Sequence, residues 1–149
     1  MNKYGDEEVL KYGNPKNWEL WPAYKSEYLL DESFPEFTSI CPRSGYPDFA
    51  NIHILYVPKK VVIELKALKL FLNSYRTKRI SHENVTNEIF DLLKDTLKPA
   101  YLLIEGDFTP RGNLKTIIRR EEGLSNVSND TKHIIDLAIN RYNIKYIDY

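Results

Sequence analysis

The stretch Asn51-Ile52-His53-Ile54-Leu55-Tyr56-Val57-Pro58-Lys59-Lys60-Val61-Val62-Ile63-Glu64-Leu65-Lys66-Ala67-Leu68-Lys69 changes its hydrophobic period midway. Ile52, Ile54 and Tyr56 alternate with His53, Leu55 and Val57, a period of two that predicts a strand over 51–57, and Pro58-Lys59-Lys60 closes it in a turn. Val61 to Glu64 reads as a short second strand. From Leu65 onward the apolar spacing becomes three to four. Leu65, Leu68, Leu72 and Tyr75 make one stripe with Lys66, Lys69 and Arg76 off it, so an amphipathic helix starts at once and puts a basic face beside Glu64.

Downstream, Ser81 can cap a second helix whose apolar positions Val85, Ile89, Leu92 and Leu93 repeat until Pro99 stops it. His82 and Glu83 then occupy its first turn. Tyr101 to Phe108 and Leu114 to Arg119 read as two further strands around a turn at Thr109-Pro110-Arg111-Gly112, and Asp130 is a candidate cap for a last helix carrying Ile134, Leu137 and Ala138. Upstream, residues 1–24 mix charge with Gly13, Pro15, Pro22, Trp18 and Trp21, the pattern of an extended arm pinned by aromatics. The order predicts an α+β fold, an antiparallel sheet with two helices on one face. The other face lacks an obvious cover, which points to oligomerisation through the sheets. We read residues 1–149 as a single domain, with an arm at 1–30, a core at 34–122 and a C-terminal helical extension at 123–149.

Composition narrows the classes. With 149 residues and 42% hydrophobic content, the chain can build one ordinary core. Lysine plus arginine and aspartate plus glutamate both total 21, so no global basic field points to direct nucleic-acid binding. Cys41 is the only cysteine, which excludes an intrachain disulfide and a cysteine-cluster zinc site. No apolar segment of signal-peptide or membrane-spanning length occurs, so a reduced, cytoplasmic setting is expected. A Gly-x-Gly-x-x-Gly, a Walker loop and a histidine-rich metal spacing are all missing, which disfavours a Rossmann dehydrogenase or a metal hydrolase.

Several residues can carry chemistry, each beside a plainer reading. Cys41 lies at a predicted strand end, directly before the turn signals Pro42 and Gly45, where a thiol can face a pocket, although unpaired cysteines also pack as small hydrophobes. Asp48 follows seven residues later and is either a turn former or an acid returned toward the sulfur. A thiol beside an acid suits addition to a carbon–nitrogen multiple bond, with sulfur attacking carbon and the acid protonating nitrogen. Glu64 ends an apolar run and needs donors, such as ring N–H groups of a purine-like ligand. Glu83 offers a second carboxylate or simple helix-start electrostatics, and His82 a ligand contact or a surface residue. Lys66 and Lys69 can meet a phosphate-bearing cofactor or solvent, and Arg111 a phosphate or a neighbouring subunit.

Taken together, Phe34-Pro35-Glu36-Phe37-Thr38-Ser39-Ile40-Cys41-Pro42, Gly45-Tyr46-Pro47-Asp48-Phe49-Ala50, Glu64-Leu65-Lys66-Ala67-Leu68-Lys69, His82-Glu83 and Phe108-Thr109-Pro110-Arg111-Gly112 resemble the QueF family of NADPH-dependent nitrile reductases. The resemblance implies the tunnelling fold, in which sheets of several subunits close into a barrel, here as a pentamer or a decamer. It implies that Cys41 forms a thioimide with the nitrile carbon of 7-cyano-7-deazaguanine, with Asp48 as proton donor. NADPH then delivers hydride twice, giving 7-aminomethyl-7-deazaguanine for queuosine in transfer RNA. By the same matching, Ile63, Glu64, Leu65, His82 and Glu83 bind the substrate, and Lys66 and Lys69 with Arg111 hold the cofactor. The alternatives are a QueF-like amidinotransferase acting on transfer RNA and a non-catalytic purine-binding protein. The intact run from Glu64 to Lys69 favours the reductase.

Overall fold

The computed structural model describes residues 6–147, with side chains from 7 to 141; the outermost parts of the expected arm (1–5) and extension (148–149) lie outside the described residues. The elements run α1 (Asp6–Tyr12), β1 (Leu20–Pro22), β2 (Leu30–Ile40), β3 (Pro47–Val57), β4 (Val61–Ile63), α2 (Leu65–Asn73), α3 (His82–Leu97), β5 (Tyr101–Arg111), β6 (Leu114–Glu122) and α4 (Asn129–Ile147). The architecture is α+β, with a fully antiparallel sheet in the order β2-β3-β5-β6.

The period-two run seeds the centre of this sheet. Ile52, Ile54 and Tyr56 of β3 join Leu102, Ile104 and Phe108 of β5 on one face, where Leu68, Phe71 and Leu72 of α2 and Val85, Ile89, Phe90 and Leu93 of α3 cover them. The two predicted helices thus share a face of the sheet. Ser81 caps α3 as expected, its Oγ accepting from Asn84 N at 3.1 Å. At Gly106 the sheet and α3 meet so closely that a Cβ would collide with Thr86 Oγ1, so a side chain there has no room.

Several local expectations are corrected. The arm is not extended throughout, because residues 6–12 form α1 and Leu20–Pro22 pair with β4 in a separate two-stranded ribbon. The second strand therefore belongs to the ribbon, and Glu64 caps α2 instead of ending a strand. Leu65 leaves the apolar stripe and is 66% exposed. Thr109, Pro110 and Arg111 continue β5, with a register shift between Phe108 and Arg111. The hairpin turn is Gly112-Asn113, both at positive φ (56° and 68°), the pairing that two-residue turns of this hand require. The cap of α4 is Ser128, whose Oγ accepts from Thr131 N at 3.2 Å, rather than Asp130. The opposite sheet face is not bare either. Around Leu55, Val57, Tyr101 and Leu103 it is covered by Val127 and by Ile135 and Ala138 of α4. No helix among the described residues is long and apolar enough to cross a membrane.

Candidate active site

The end of the β2–β3 hairpin holds the thiol. Cys41 N donates to Tyr46 O at 2.8 Å and Gly45 N to Cys41 O at 3.0 Å, a tight turn that puts Gly45 at φ +76°. The turn folds the next amides back on the sulfur, and Ser44 N lies 3.5 Å from Cys41 Sγ. The Ser44 hydroxyl, then the Ser44 and Arg43 amides, stabilise the thiolate and lower the Cys41 pKa, against the opposing effects of burial and of the Asp48 charge. Cys41 is partly exposed, which lets a small electrophile approach it.

Asp48, 4% exposed, stands at the start of β3 opposite Ser39. Its Oδ1 accepts from Arg111 Nη1 at 2.9 Å, and its Oδ2 lies 3.2 Å from His82 Nε2. Arg111 also donates to Pro47 O at 2.8 Å. A guanidinium can only donate, so Arg111 holds Oδ1 and leaves Oδ2 facing the His82 ring. The His82 ring is held flat on Phe108, with centroids 4.0 Å apart and planes 13° off parallel. Glu83, next to His82, is exposed in the first turn of α3. Cys41, Asp48, His82, Glu83 and Arg111 therefore gather at one end of the sheet, from β2, β3, α3 and β5. Arg111 sits on the acid, not beside Lys66 and Lys69.

The remaining candidates lie at the other end. Glu64 uses both carboxylate oxygens to cap α2, accepting from Lys66 N at 2.8 Å and Ala67 N at 2.9 Å. Ile63 is buried, Leu65 and Lys69 are exposed, and Lys66 Nζ approaches Glu8 at 3.4 Å. Beside them a groove of about 340 Å³ opens between α2 and the sheet edge, lined by Leu65, Leu68, Lys69, Glu32 and Phe34 among others. Glu32 pairs with Ile54 and Ile40 with Pro47 in the same ladder. Eight residues of strand separate them, so the groove and the thiol are roughly 25 Å apart along one chain.

Local sequence singles out Cys41 and Asp48 but not the groups that surround them. Phe108 opens the Phe108–Gly112 motif, and Ser44, directly before the turn glycine Gly45, is a local hydrogen-bond signal. Nothing local could have placed Arg111 on Asp48, 63 residues away.

Residues 47–126 match the family model described as QueF-like protein, a span that includes Asp48, the Glu64–Lys69 run, His82, Glu83 and Arg111 and begins six residues after Cys41. A Nitratiruptor protein named NADPH-dependent 7-cyano-7-deazaguanine reductase is 47% identical over 129 residues, 85% of this chain and 98% of that protein. The Aquifex aeolicus protein of the same name is 52% identical over 119 residues, 78% of this chain and 89% of that protein. The crystal structure of the archaeosine synthase QueF-Like in the apo form shares the fold, with a TM-score of 0.58 at 22% identity over 68% of this chain and 97% of that one. The family match covers more than half of the chain and the relatives match nearly end to end, so this protein belongs to the QueF family.

Proposed function

We propose that this chain is an NADPH-dependent reductase of the nitrile of 7-cyano-7-deazaguanine, producing the aminomethyl compound for queuosine in the cytoplasm. The observation that carries the reading is the accessible Cys41 thiol, whose pKa local N–H and O–H donors lower, near the Asp48–His82 pair. The thiolate attacks the nitrile carbon and forms a C–S bond. Asp48, set against His82, gives a proton to the nitrogen, leaving a thioimide on Cys41. Arg111 keeps Asp48 aimed while that proton moves. Lys66 and Lys69 would hold NADPH, which would supply the hydride equivalents. The exposed Glu83 carboxylate, with His82, accepts the donor edge of the heterocycle, and Ile63, Glu64 and Leu65 of a neighbouring subunit form the opposing wall.

The roughly 25 Å between the thiol and the Lys69 groove supports an oligomer of the tunnelling-fold type, a pentameric or decameric barrel in which one subunit's thiol meets its neighbour's cofactor wall. The test is nitrile-dependent oxidation of NADPH by the purified protein. Cys41→Ala and Lys69→Glu should each abolish it, and an equal mixture reassembled from both should recover about a quarter of the wild-type rate, because a quarter of randomly formed boundaries pair an intact thiol with an intact lysine. No nitrile-dependent oxidation would overturn the reductase. Oxidation without recovery in the mixture would overturn the shared site alone.

A further inference from the structure

Beyond the area covered by α4, the second face of the sheet carries a polar strip that takes no part in the chemistry above. His53 pairs with Glu105 and Asn51 with Asp107 at neighbouring same-face positions of the β3–β5 ladder, so all four side chains stand on one face. His53 is 4% exposed and Glu105 3%. Two shielded oxygens there, Glu105 Oε1 and Asn51 Oδ1, have no hydrogen-bond partner among the described residues, an expensive condition for a carboxylate.

The histidine makes this specific. His53 Nδ1 lies 3.2 Å from Ser33 Oγ. In the tautomer that donates Nδ1–H to that hydroxyl, Nε2 carries its lone pair on the side of Glu105 Oε1, 3.8 Å away. That separation is too long for a hydrogen bond, so a proton bridges the two atoms poorly. Two metal–ligand bonds of about 2.0–2.2 Å span it well. The ligand atoms of His53, Glu105 and Asp107 all lie within 4.8 Å of one another. Arg119 Nε holds Glu105 Oε2 at 2.5 Å and Lys115 Nζ holds Asp107 Oδ1, which orients each carboxylate and leaves Glu105 Oε1 to the strip. These two cations balance the two carboxylates, so binding here depends on ligand geometry, not on surplus negative charge.

We propose that His53, Glu105 and Asp107, with Asn51 Oδ1 as a fourth ligand, bind one divalent first-row transition ion that ties β3 to β5. An imidazole among oxygens selects zinc- or manganese-type ions over magnesium or calcium. The ligands come from positions about fifty residues apart, which is why no spacing motif announces them.

The test is calorimetric titration of the chelator-treated full chain with Zn²⁺ and with Mn²⁺. The expected result is one ion per chain, affinity reduced at least about tenfold in Glu105→Gln, and no change in Cys41→Ala, which removes the only thiol that could bind zinc elsewhere. Histidine ring-nitrogen NMR of the wild-type protein gives a second reading without any variant: Zn²⁺ should move the His53 signals and leave those of His82 in place. Absence of a stoichiometric ion, unchanged binding in Glu105→Gln, loss of binding in Cys41→Ala, or a shift at His82 instead of His53 would each overturn the site.

Discussion

Replacing Glu32 by glutamine should remove a pH-dependent loss of stability. Glu32 lies on the edge strand β2, faces the helices beside Ile54 and lines the groove next to Lys69. Its Oε2 is shielded and has no hydrogen-bond partner among the described residues. Burial, helped by the adjacent Asp31 charge, pushes its pKa up from 4.5 to about 7. The folded protein thus holds this proton more tightly than the unfolded chain. The contribution is fully present below pH 4.5, falls as pH rises toward 7, and is flat above that. At 1.36 kcal/mol per tenfold in proton affinity the full span is about 3 kcal/mol, of which about 2.5 kcal/mol falls between pH 5 and pH 8; partial contact with solvent reduces the expected change to about 2 kcal/mol. Urea unfolding of wild type and Glu32→Gln at both pH values, at one fixed protein concentration, reads it directly. The variant should gain about 2 kcal/mol on the wild type in going from pH 5 to pH 8. An equal gap at both values would refute the buried, protonated carboxyl.

Two further substitutions probe the supports of the site. Ser44→Ala removes the largest donor to the Cys41 sulfur, so the pH midpoint of alkylation by iodoacetamide should move upward, and an unmoved midpoint would remove Ser44 from the account. Glu64→Ala leaves the Lys66 and Ala67 amides without their cap, and should cost about 1–2 kcal/mol in urea unfolding while Glu64→Asp or Glu64→Ser recovers part of it.

The strand at 51–57 is legible as a nearly unbroken apolar run because both its faces are buried, and the helices after it because each buries one face. Only the end of β2 before Pro42 is legible, since Asp31, Glu32, Pro35 and Glu36 interrupt any alternation and the register slips between Phe34 and Phe37. β1 is three residues long, too short to show a period. Pro110 looked like a turn residue yet lies at the irregular end of a strand, where a missing N–H is tolerated. Asp130 and Ser128 are both good caps, and only the fold decides between them. In the site, the thiol and acid came through as residue types in motifs close in sequence. The Arg111–Asp48 contact, the stacking of His82 on Phe108 and the gap between thiol and groove are products of strand pairing. No local pattern carries them.

The most direct test of the central claim is the intact mass of the protein mixed with 7-cyano-7-deazaguanine in the absence of NADPH. We expect one nitrile-sized adduct per chain, absent in Cys41→Ala and discharged as NADPH is consumed on its addition. A wild-type protein that consumes NADPH with the nitrile but never carries the adduct would contradict covalent catalysis by Cys41, and an adduct that persists with NADPH unconsumed would contradict reduction.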